Sequence, residues 1–350
     1  MSFLKHIFIL FIFLLINRKS LSKAIPQSKE KKPIIDDHHQ EFSFLKMNIT
    51  SNIKWMQNGI TIAGGNQFGN KLNQLYDPTG IAIDDDDQSI YIADSGNDRV
   101  IQWKFGESSG RIVAGGNGRG NDRNQLDWPT DVLVDKQTNS IFICDLKNRR
   151  VVRWSLENNQ YGQIVIPDID CGGLKMDNHG DLYVSDYVKS EVRKWSEENP
   201  KGIIVAGGNG KGNQLNQLSY PIYFFIDKDY SIYVSDHLNN RVMKWKKDAK
   251  EGVIVAGGQG KGNLLTQLKD TSGVVVDHLG NIYVVDSGNN RIIRWLKDAK
   301  KGHVIIGENK QGKEANQFDY PTSLSFDRQG NLYIADFGNH RIQKFIIDNN

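Results

Sequence analysis

The chain contains six copies of one short pattern, in which an Asp that ends a β-rich run is followed nine residues later by Trp or, once, Phe. The Asp residues of successive copies are 51, 41, 50, 50 and 50 residues apart. The pairs are Asp94 and Trp103, Asp145 and Trp154, Asp186 and Trp195, Asp236 and Trp245, Asp286 and Trp295, and Asp336 and Phe345. Periods of this length are typical of propellers, solenoids and arrays. The sequence therefore predicts a repeat protein.

The content of one copy indicates which kind of repeat this is. Residues 78–126 contain four apolar runs, GIAID, SIYIAD, RVIQW and RIVAGG, each rich in Ile, Val or Ala and bounded by Gly, Asn, Asp or Ser. Such runs predict short strands separated by turns. Four antiparallel strands in ~40 to 50 residues are typical of a propeller blade. We therefore predict an all-β fold, a six-bladed β-propeller of four-stranded antiparallel blades.

The two ends of the chain predict how the ring closes. The sixth copy ends after its third strand, whereas residues 58–66 (NGITIAGGN) resemble the fourth strands RIVAGGN and IIVAGGN of other copies. We expect this N-terminal strand to complete the last blade, which leaves no open radial edge. The predicted blades cover approximately residues 78–116, 129–166, 171–208, 221–258, 271–307, and 321–350 together with 58–65.

The N-terminal residues have a different composition from the repeats. Residues 7–16 (IFILFIFLLI) are apolar and follow Lys5, and small residues occur near position 24. This run is short for a membrane span and typical of a signal peptide, so we predict a signal peptide over residues 1–24 and a secreted protein. The alternative is a retained signal anchor. Residues 25–45 are predicted to be a flexible leader and residues 46–350 the propeller, with Asn48 as a glycosylation sequon.

The distribution of charge argues against nucleic-acid binding. The chain has a formal net charge of +3, but residues 1–45 hold seven Lys or Arg against four Asp or Glu, which leaves 37 of each in the remainder. The propeller is therefore formally neutral. Nonspecific binding to nucleic acid needs many contacts between cationic side chains and phosphates, so no nucleic-acid partner is favoured.

Five copies place an Arg five residues after the repeated Asp. The pairs are Asp94 and Arg99, Asp145 and Arg150, Asp236 and Arg241, Asp286 and Arg291, and Asp336 and Arg341. Catalysis needs one such pair, whereas a charge-assisted hydrogen bond between the second and third strands is needed once in every blade. We therefore predict a structural role for all five.

The chain has two cysteines, Cys144 and Cys171, which fall near the same end of neighbouring blades. A disulfide is possible in a secreted protein. We favour two separate buried thiols, because a small buried Cys is common in protein cores.

The repeats resemble the NHL repeat over residues 53–347, essentially the whole predicted mature chain. The resemblance lies in P-x-G-[IV]-x-[IV]-D followed by [LI]-Y-[VI]-x-D-x-x-N-x-R, of which residues 286–291 (DSGNNR) and 336–341 (DFGNHR) are typical matches. It implies a six-bladed propeller. It does not imply one function, because the family includes sensor ectodomains, adhesion modules, RNA-binding domains and a metal-dependent lyase.

No metal or cofactor site can be assembled from the sequence. Catalytic zinc commonly has three protein ligands, but only His237 and His340 fall in loops between second and third strands, and their blades are not adjacent. The Gly-rich segments such as AGGNGRGN lead into strands rather than into the helix that a phosphate loop requires. We therefore expect neither a metal nor a cofactor.

Departures from the repeat indicate where a ligand could bind. Asp131 and Tyr223 replace small residues in first strands, Lys175 replaces an apolar or small residue, and Glu191 replaces the repeated Arg in blade three, whose preceding connector is about ten residues shorter. We predict that these four residues, with His237, mark a ligand site at the channel mouth on the face of the connectors between blades. The alternative is that Asp131 and Lys175 simply pair across neighbouring blades.

These observations favour a secreted, monomeric module without catalytic activity, which binds an extracellular protein, glycan or small ligand. The alternative is a metal-dependent propeller enzyme of the lyase or lactonase type, with the channel-mouth carboxylates or His237 as ligands. RNA binding is a weaker alternative, because the predicted signal peptide argues against it.

Overall fold

The computed structural model describes residues 53–158, 160–307 and 310–348. The predicted signal peptide, the leader and Asn48 lie outside these residues. None of the helices in the described part is long and apolar enough to cross a membrane.

The described chain begins with two short strands, β1 (Lys54–Trp55) and β2 (Ile60–Gly64), and continues through the repeats. Blade one contains β3 (Pro78–Asp84), β4 (Ser89–Asp94), β5 (Arg99–Lys104) and β6 (Arg111–Gly115). Blade two contains β7 (Pro129–Asp135), β8 (Ser140–Asp145), β9 (Arg150–Ser155) and β10 (Gly162–Pro167). Blade three contains β11 (Cys171–Met176), β12 (Leu182–Asp186), β13 (Glu191–Trp195) and β14 (Ile203–Gly207).

The second half of the chain repeats this arrangement. Blade four contains β15 (Pro221–Ile226), β16 (Ile232–Asp236), β17 (Arg241–Trp245) and β18 (Val253–Gly257). Blade five contains β19 (Thr271–Val276), β20 (Ile282–Asp286), β21 (Arg291–Trp295) and β22 (His303–Ile306). Blade six contains β23 (Pro321–Phe326), β24 (Leu332–Asp336) and β25 (Arg341–Phe345), and β26 (Ile347–Asp348) follows it.

The N-terminal strand closes the ring. The last sheet has the order β2-β25-β24-β23, with β2 antiparallel to β25. The first strands β3, β7, β11, β15, β19 and β23 contact one another in a complete circle. The predicted fold, an all-β propeller with six four-stranded antiparallel blades, is confirmed.

A second N-terminal contact was not predicted. Strand β1 pairs with β26, and Trp55 is buried between blades five and six, where its indole N–H donates to the carbonyl of Gly330 at 3.0 Å. Its ring also lies edge-on to Tyr283, with centroids 5.8 Å apart. Burying an aromatic side chain of this size contributes substantially to stability, so Trp55 adds to the closure that β2 provides.

The hydrophobic core is divided among the interfaces between blades. Each interface contains buried Ile, Val or Leu side chains together with a buried or partly buried Trp or Phe from the end region of a third strand. Five of the six also bury a Tyr of a second strand. The blades therefore bury their apolar faces against their neighbours, as in other repeat architectures.

The five Asp–Arg pairs are in contact. In blade five, Nε of Arg291 lies 2.7 Å from Oδ2 of Asp286, and the rest of the guanidinium donates to the carbonyls of Asn263, Leu264 and Gln267 in the preceding connector. The equivalent Arg of blades one, two, four and six makes the same set of contacts. Each pair thus joins its own blade to the connector that leads into it.

Blade three departs from this pattern in its connector and its cysteine. The prediction of two separate buried thiols was wrong. Its preceding connector is reduced to residues 168–170, and Cys144 in blade two forms a disulfide with Cys171, the first residue of β11. The two Cα atoms are 5.4 Å apart, within the usual range for a disulfide. Sequence position alone could not resolve this, because pairing depends on how closely the two blades approach.

Candidate functional site

The inner surface of the ring is formed by residues at alternate positions of the six first strands, which share one side of a strand. The third positions are Gly80, Asp131, Gly173, Tyr223, Gly273 and Ser323. The fifth positions are Ala82, Leu133, Lys175, Phe225, Val275 and Ser325. The third positions lie nearer the connectors, and the fifth positions lie nearer the turns between first and second strands, because every first strand runs in the same direction.

Tyr223 spans blade three on the inner surface of the ring. It starts from blade four, and its hydroxyl donates to the carbonyl oxygen of Thr130 in blade two at 3.0 Å. Gly173 of the intervening blade makes room for it, since a Cβ there would lie 3.1 Å from Cδ1 of Tyr223. Burial, with the nearby charge of Asp131, holds the pKa of Tyr223 well above its usual value, so the hydroxyl remains a donor. The side chain therefore lies along the inner surface of blade three, between blades four and two.

Asp131 and Lys175 are brought together across blades two and three. Nζ of Lys175 lies 3.7 Å from Oδ2 of Asp131, and the two Asp131 oxygens accept hydrogen bonds from the amides of Val132 and Leu174, each at 3.0 Å. Burial raises the pKa of Asp131, while Lys175 and the two amides oppose that rise. The pairing that the sequence offered as an alternative is therefore present.

Tyr223 and Lys175 also line a cavity of about 270 Å³. Its walls come mainly from the first strands of blades three to six, with Ile81 of blade one, and Phe225, Val275 and Phe326 are among the apolar side chains. Its rim comes from turns between first and second strands, where His278 is exposed. The cavity is therefore mostly apolar, with an ammonium group in one wall.

The cavity lies on the turn side of Tyr223, whereas we expected a site on the connector side. The sequence indicated Lys175 because it differs from its equivalents, but it did not indicate Phe225, Val275 or Ser325. A position-by-position comparison of the fifth residues of all six first strands would have placed all four in one ring.

Glu191 and His237 lie elsewhere. Glu191 is on a third strand, where its Oε1 accepts a hydrogen bond from Nε of Arg193 at 2.6 Å. His237 is buried in the 3-10 turn His237–Asn239, and its Nδ1 lies 2.9 Å from the carbonyl oxygen of Thr271 in the next blade. This geometry makes Nδ1 the donor, and burial lowers the pKa of the ring. In the described part of the chain no contact joins either side chain to Lys175.

The described residues contain no group of three or more His, Cys, Asp or Glu that could hold a metal ion. The acidic turn Asp84–Asp87 is paired with cationic side chains of the protein. Lys136 contacts Asp84 and Asp86, and Arg328 contacts Asp86 at 2.5 Å.

The NHL repeat model matches two parts of the chain, residues 75–103 and 318–345, which lie mainly in blades one and six. The chain therefore contains NHL repeats at two positions, and its structure is the six-bladed β-propeller that the resemblance implied. No curated protein matches the chain.

Several solved structures share the fold. An auxiliary nutrient binding protein from Bacteroides thetaiotaomicron is 14% identical, with a TM-score of 0.66 over 85% of this chain and 77% of that one. A putative gluconolactonase is 12% identical, with a TM-score of 0.58 over 89% and 97% of the two chains. Virginiamycin B lyase from Staphylococcus aureus is 12% identical, with a TM-score of 0.50 over 84% and 99%. At these identities the likeness extends to the fold alone.

Proposed function

We propose that this protein is a non-catalytic binding module that holds a small ligand in the channel cavity on the turn side of Tyr223. The observation that carries the proposal is the cavity itself, which Tyr223 bounds and which is lined mainly by apolar side chains. Ligand sites in proteins are commonly mostly apolar concavities with a few polar groups that orient the ligand.

The size of the cavity favours a small molecule over a polymer. Its volume of about 270 Å³ lies near the lower end of the ~300 to 1,000 Å³ that is usual for ligand pockets. Lys175 supplies a polar group in one wall, and Ser325 supplies a hydroxyl in the wall formed by blade six, opposite blade three in the ring. An extended chain of protein or glycan would need a longer groove.

The related folds are compatible with this proposal and do not decide it. One of the similar structures is a nutrient binding protein, whereas others are a putative lactonase and a lyase. We favour binding because the cavity residues include no nucleophile paired with a base and because the described residues offer no metal cluster.

We further propose that the protein acts outside the cell. The predicted signal peptide motivates this, and the Cys144–Cys171 disulfide supports it, since disulfides persist mainly in oxidising compartments. Recovery of the mature chain from the medium of a secreting host, with its N-terminus sequenced, would test both the cleavage and the location.

The binding proposal can be tested with small probes and one matched pair of variants. Phenylacetamide, hexanamide and their two carboxylates would be titrated into the secreted protein by isothermal calorimetry. Val275→Phe fills the cavity, whereas Val253→Phe adds the same volume on an exposed outer strand.

We expect at least one of the four probes to bind the wild-type protein and Val253→Phe equally, and to bind Val275→Phe at least tenfold more weakly. A protein that binds none of the four, or a Val275→Phe variant that binds as the wild type does, would refute the proposed site. Melting temperatures of both variants would establish that each is folded.

A further inference from the structure

Among the described residues, Lys175 carries the only ammonium group in the inner wall of the cavity, and it is paired with Asp131. That ammonium donates to the carbonyl oxygen of Leu174 at 3.0 Å and lies 3.7 Å from Asp131. An ammonium group has three N–H donors. The Leu174 carbonyl takes one of them, and even if Asp131 draws a second towards it, at least one donor remains for a molecule in the cavity.

Asp131 is held in place beside this ammonium. Its two oxygens accept the amides of Val132 and Leu174, and the side chain is 1% exposed, whereas Lys175 is 34% exposed. A carboxylate anchored by two backbone amides cannot turn away when a ligand enters. The pair therefore presents a donor to the cavity while it contributes no net charge.

The other charges of the cavity are also balanced or lie at its rim. Asp177 and Asp227 line the cavity, and each faces a lysine of the third strand behind it, Lys194 or Lys244, at 3.3 Å. Lys228 lies in an exposed turn, where water and salt weaken its field. No unbalanced cation is thus available deep in the described cavity to neutralise an anion.

We infer that the cavity selects an uncharged, mostly apolar molecule with a hydrogen-bond acceptor, such as an amide, ester or ketone carbonyl, and that Asp131 excludes carboxylates. This inference rests on the proposed function. A carbonyl oxygen can accept a hydrogen bond from a free N–H of Lys175, and an uncharged group loses little hydration free energy when it enters the cavity. A carboxylate would lose its hydration in an apolar site and would bring a second negative charge towards Asp131.

The wall opposite Lys175 is consistent with an uncharged ligand. Blade six presents the hydroxyls of Ser323 and Ser325, which have no hydrogen-bond partner among the described residues. Hydroxyls can donate or accept, so they suit a neutral polar group at the far end of the ligand. Phe225 and Val275 provide the apolar surface between the two walls.

The same titrations test this inference when each amide is compared with its carboxylate at pH 7.5. Phenylacetamide and phenylacetate, and likewise hexanamide and hexanoate, have nearly the same shape and differ in charge. We expect the wild-type protein to bind each amide at least tenfold more tightly than its carboxylate. We expect Asp131→Asn to reverse this order, because it frees the Lys175 ammonium from its carboxylate.

The possible failures can be told apart. If none of the probes binds, the proposed function fails. If the wild-type protein binds an amide no better than its carboxylate, or Asp131→Asn keeps the wild-type order while still folded, the charge selection is wrong although the site remains. Should Asp131→Asn not fold, Lys175→Gln serves instead, with the exposed Lys246→Gln as its control. Amide binding should then weaken at least threefold in Lys175→Gln alone, and unchanged binding would overturn the inference.

Discussion

Removal of the Arg291 guanidinium should destabilise the propeller far more than loss of an ordinary surface charge. Arg291 is 10% exposed, and its partner Asp286 is 0% exposed, with an Nε–Oδ2 distance of 2.7 Å. Arg291→Ala leaves that carboxylate buried with only the Lys269 amide and the Asn289 side chain as partners. Breaking a buried ion pair from one side costs about 3 to 5 kcal/mol, so we expect a loss of about 4 kcal/mol.

Two further variants separate the causes of this loss. Arg328→Ala removes an arginine whose ion pairs are half exposed, and such surface pairs contribute about 0 to 1 kcal/mol. The double variant Asp286→Asn with Arg291→Ala removes the uncompensated charge. It should therefore be more stable than Arg291→Ala alone, and the difference measures the cost of the unpaired carboxylate.

The assay is urea unfolding, followed by tryptophan fluorescence and circular dichroism, at pH 5 and pH 8. Burial already raises the pKa of Asp286 and Arg291 opposes this rise, so the variant should have a still higher folded pKa. A raised pKa for an acid means that stability falls as the pH increases towards that value. The loss in Arg291→Ala should therefore be larger at pH 8. Equal losses for Arg291→Ala and Arg328→Ala would refute the reasoning.

Two other perturbations test the disulfide and the junction of blades six and one. Replacing Cys144 and Cys171 by Ala removes a covalent link between residues 27 positions apart. Loop entropy predicts that the free energy of unfolding decreases by about 3 to 4 kcal/mol. Reductant should lower the urea midpoint of the wild-type protein but not that of the variant. Burial, followed by the charge of Asp94, raises the pKa of Asp77 to about 7, so Asp77 by itself should lower the folding stability by up to about 4 kcal/mol as the pH rises from about 4 to about 7. Asp77→Asn should make the fall smaller in urea titrations across this pH range without abolishing it, because other buried carboxyls such as Asp336 also have raised pKa values. An unchanged pH profile would contradict the assigned pKa of Asp77.

The number and composition of the blades could be predicted because each repeat carries the same information. A four-strand pattern that recurs six times leaves little choice of architecture, and the resemblance of residues 58–66 to other fourth strands predicted the closure. Trp55 could not be placed in this way. It lies outside the repeat, and its position depends on β1 pairing with residues after blade six.

The cavity was harder to predict because it depends on side chains from several blades at once. Asp131, Lys175 and Tyr223 could each be recognised as a departure from the repeat. Their sequence positions did not reveal that Tyr223 reaches from blade four to blade two. They also did not reveal that the cavity opens among the turns between first and second strands, where His278 lies.

The changes in blade three are linked by one physical requirement. In the other blades the repeated Arg needs the carbonyls of a long connector, and blade three has only residues 168–170 in that place. An Arg at position 191 would lack those acceptors, and Glu191 instead pairs with Arg193.

The disulfide supplies an attachment that the shortened connector does not give, because it joins the first residue of β11 to blade two. Lys175 lies four residues farther along the same strand, and its partner Asp131 belongs to the blade at the other end of the disulfide. The short connector thus occurs together with a disulfide between the two blades that contribute Asp131 and Lys175. Reduction of the disulfide should loosen this pair before it disrupts blades four to six, whose Asp–Arg contacts remain.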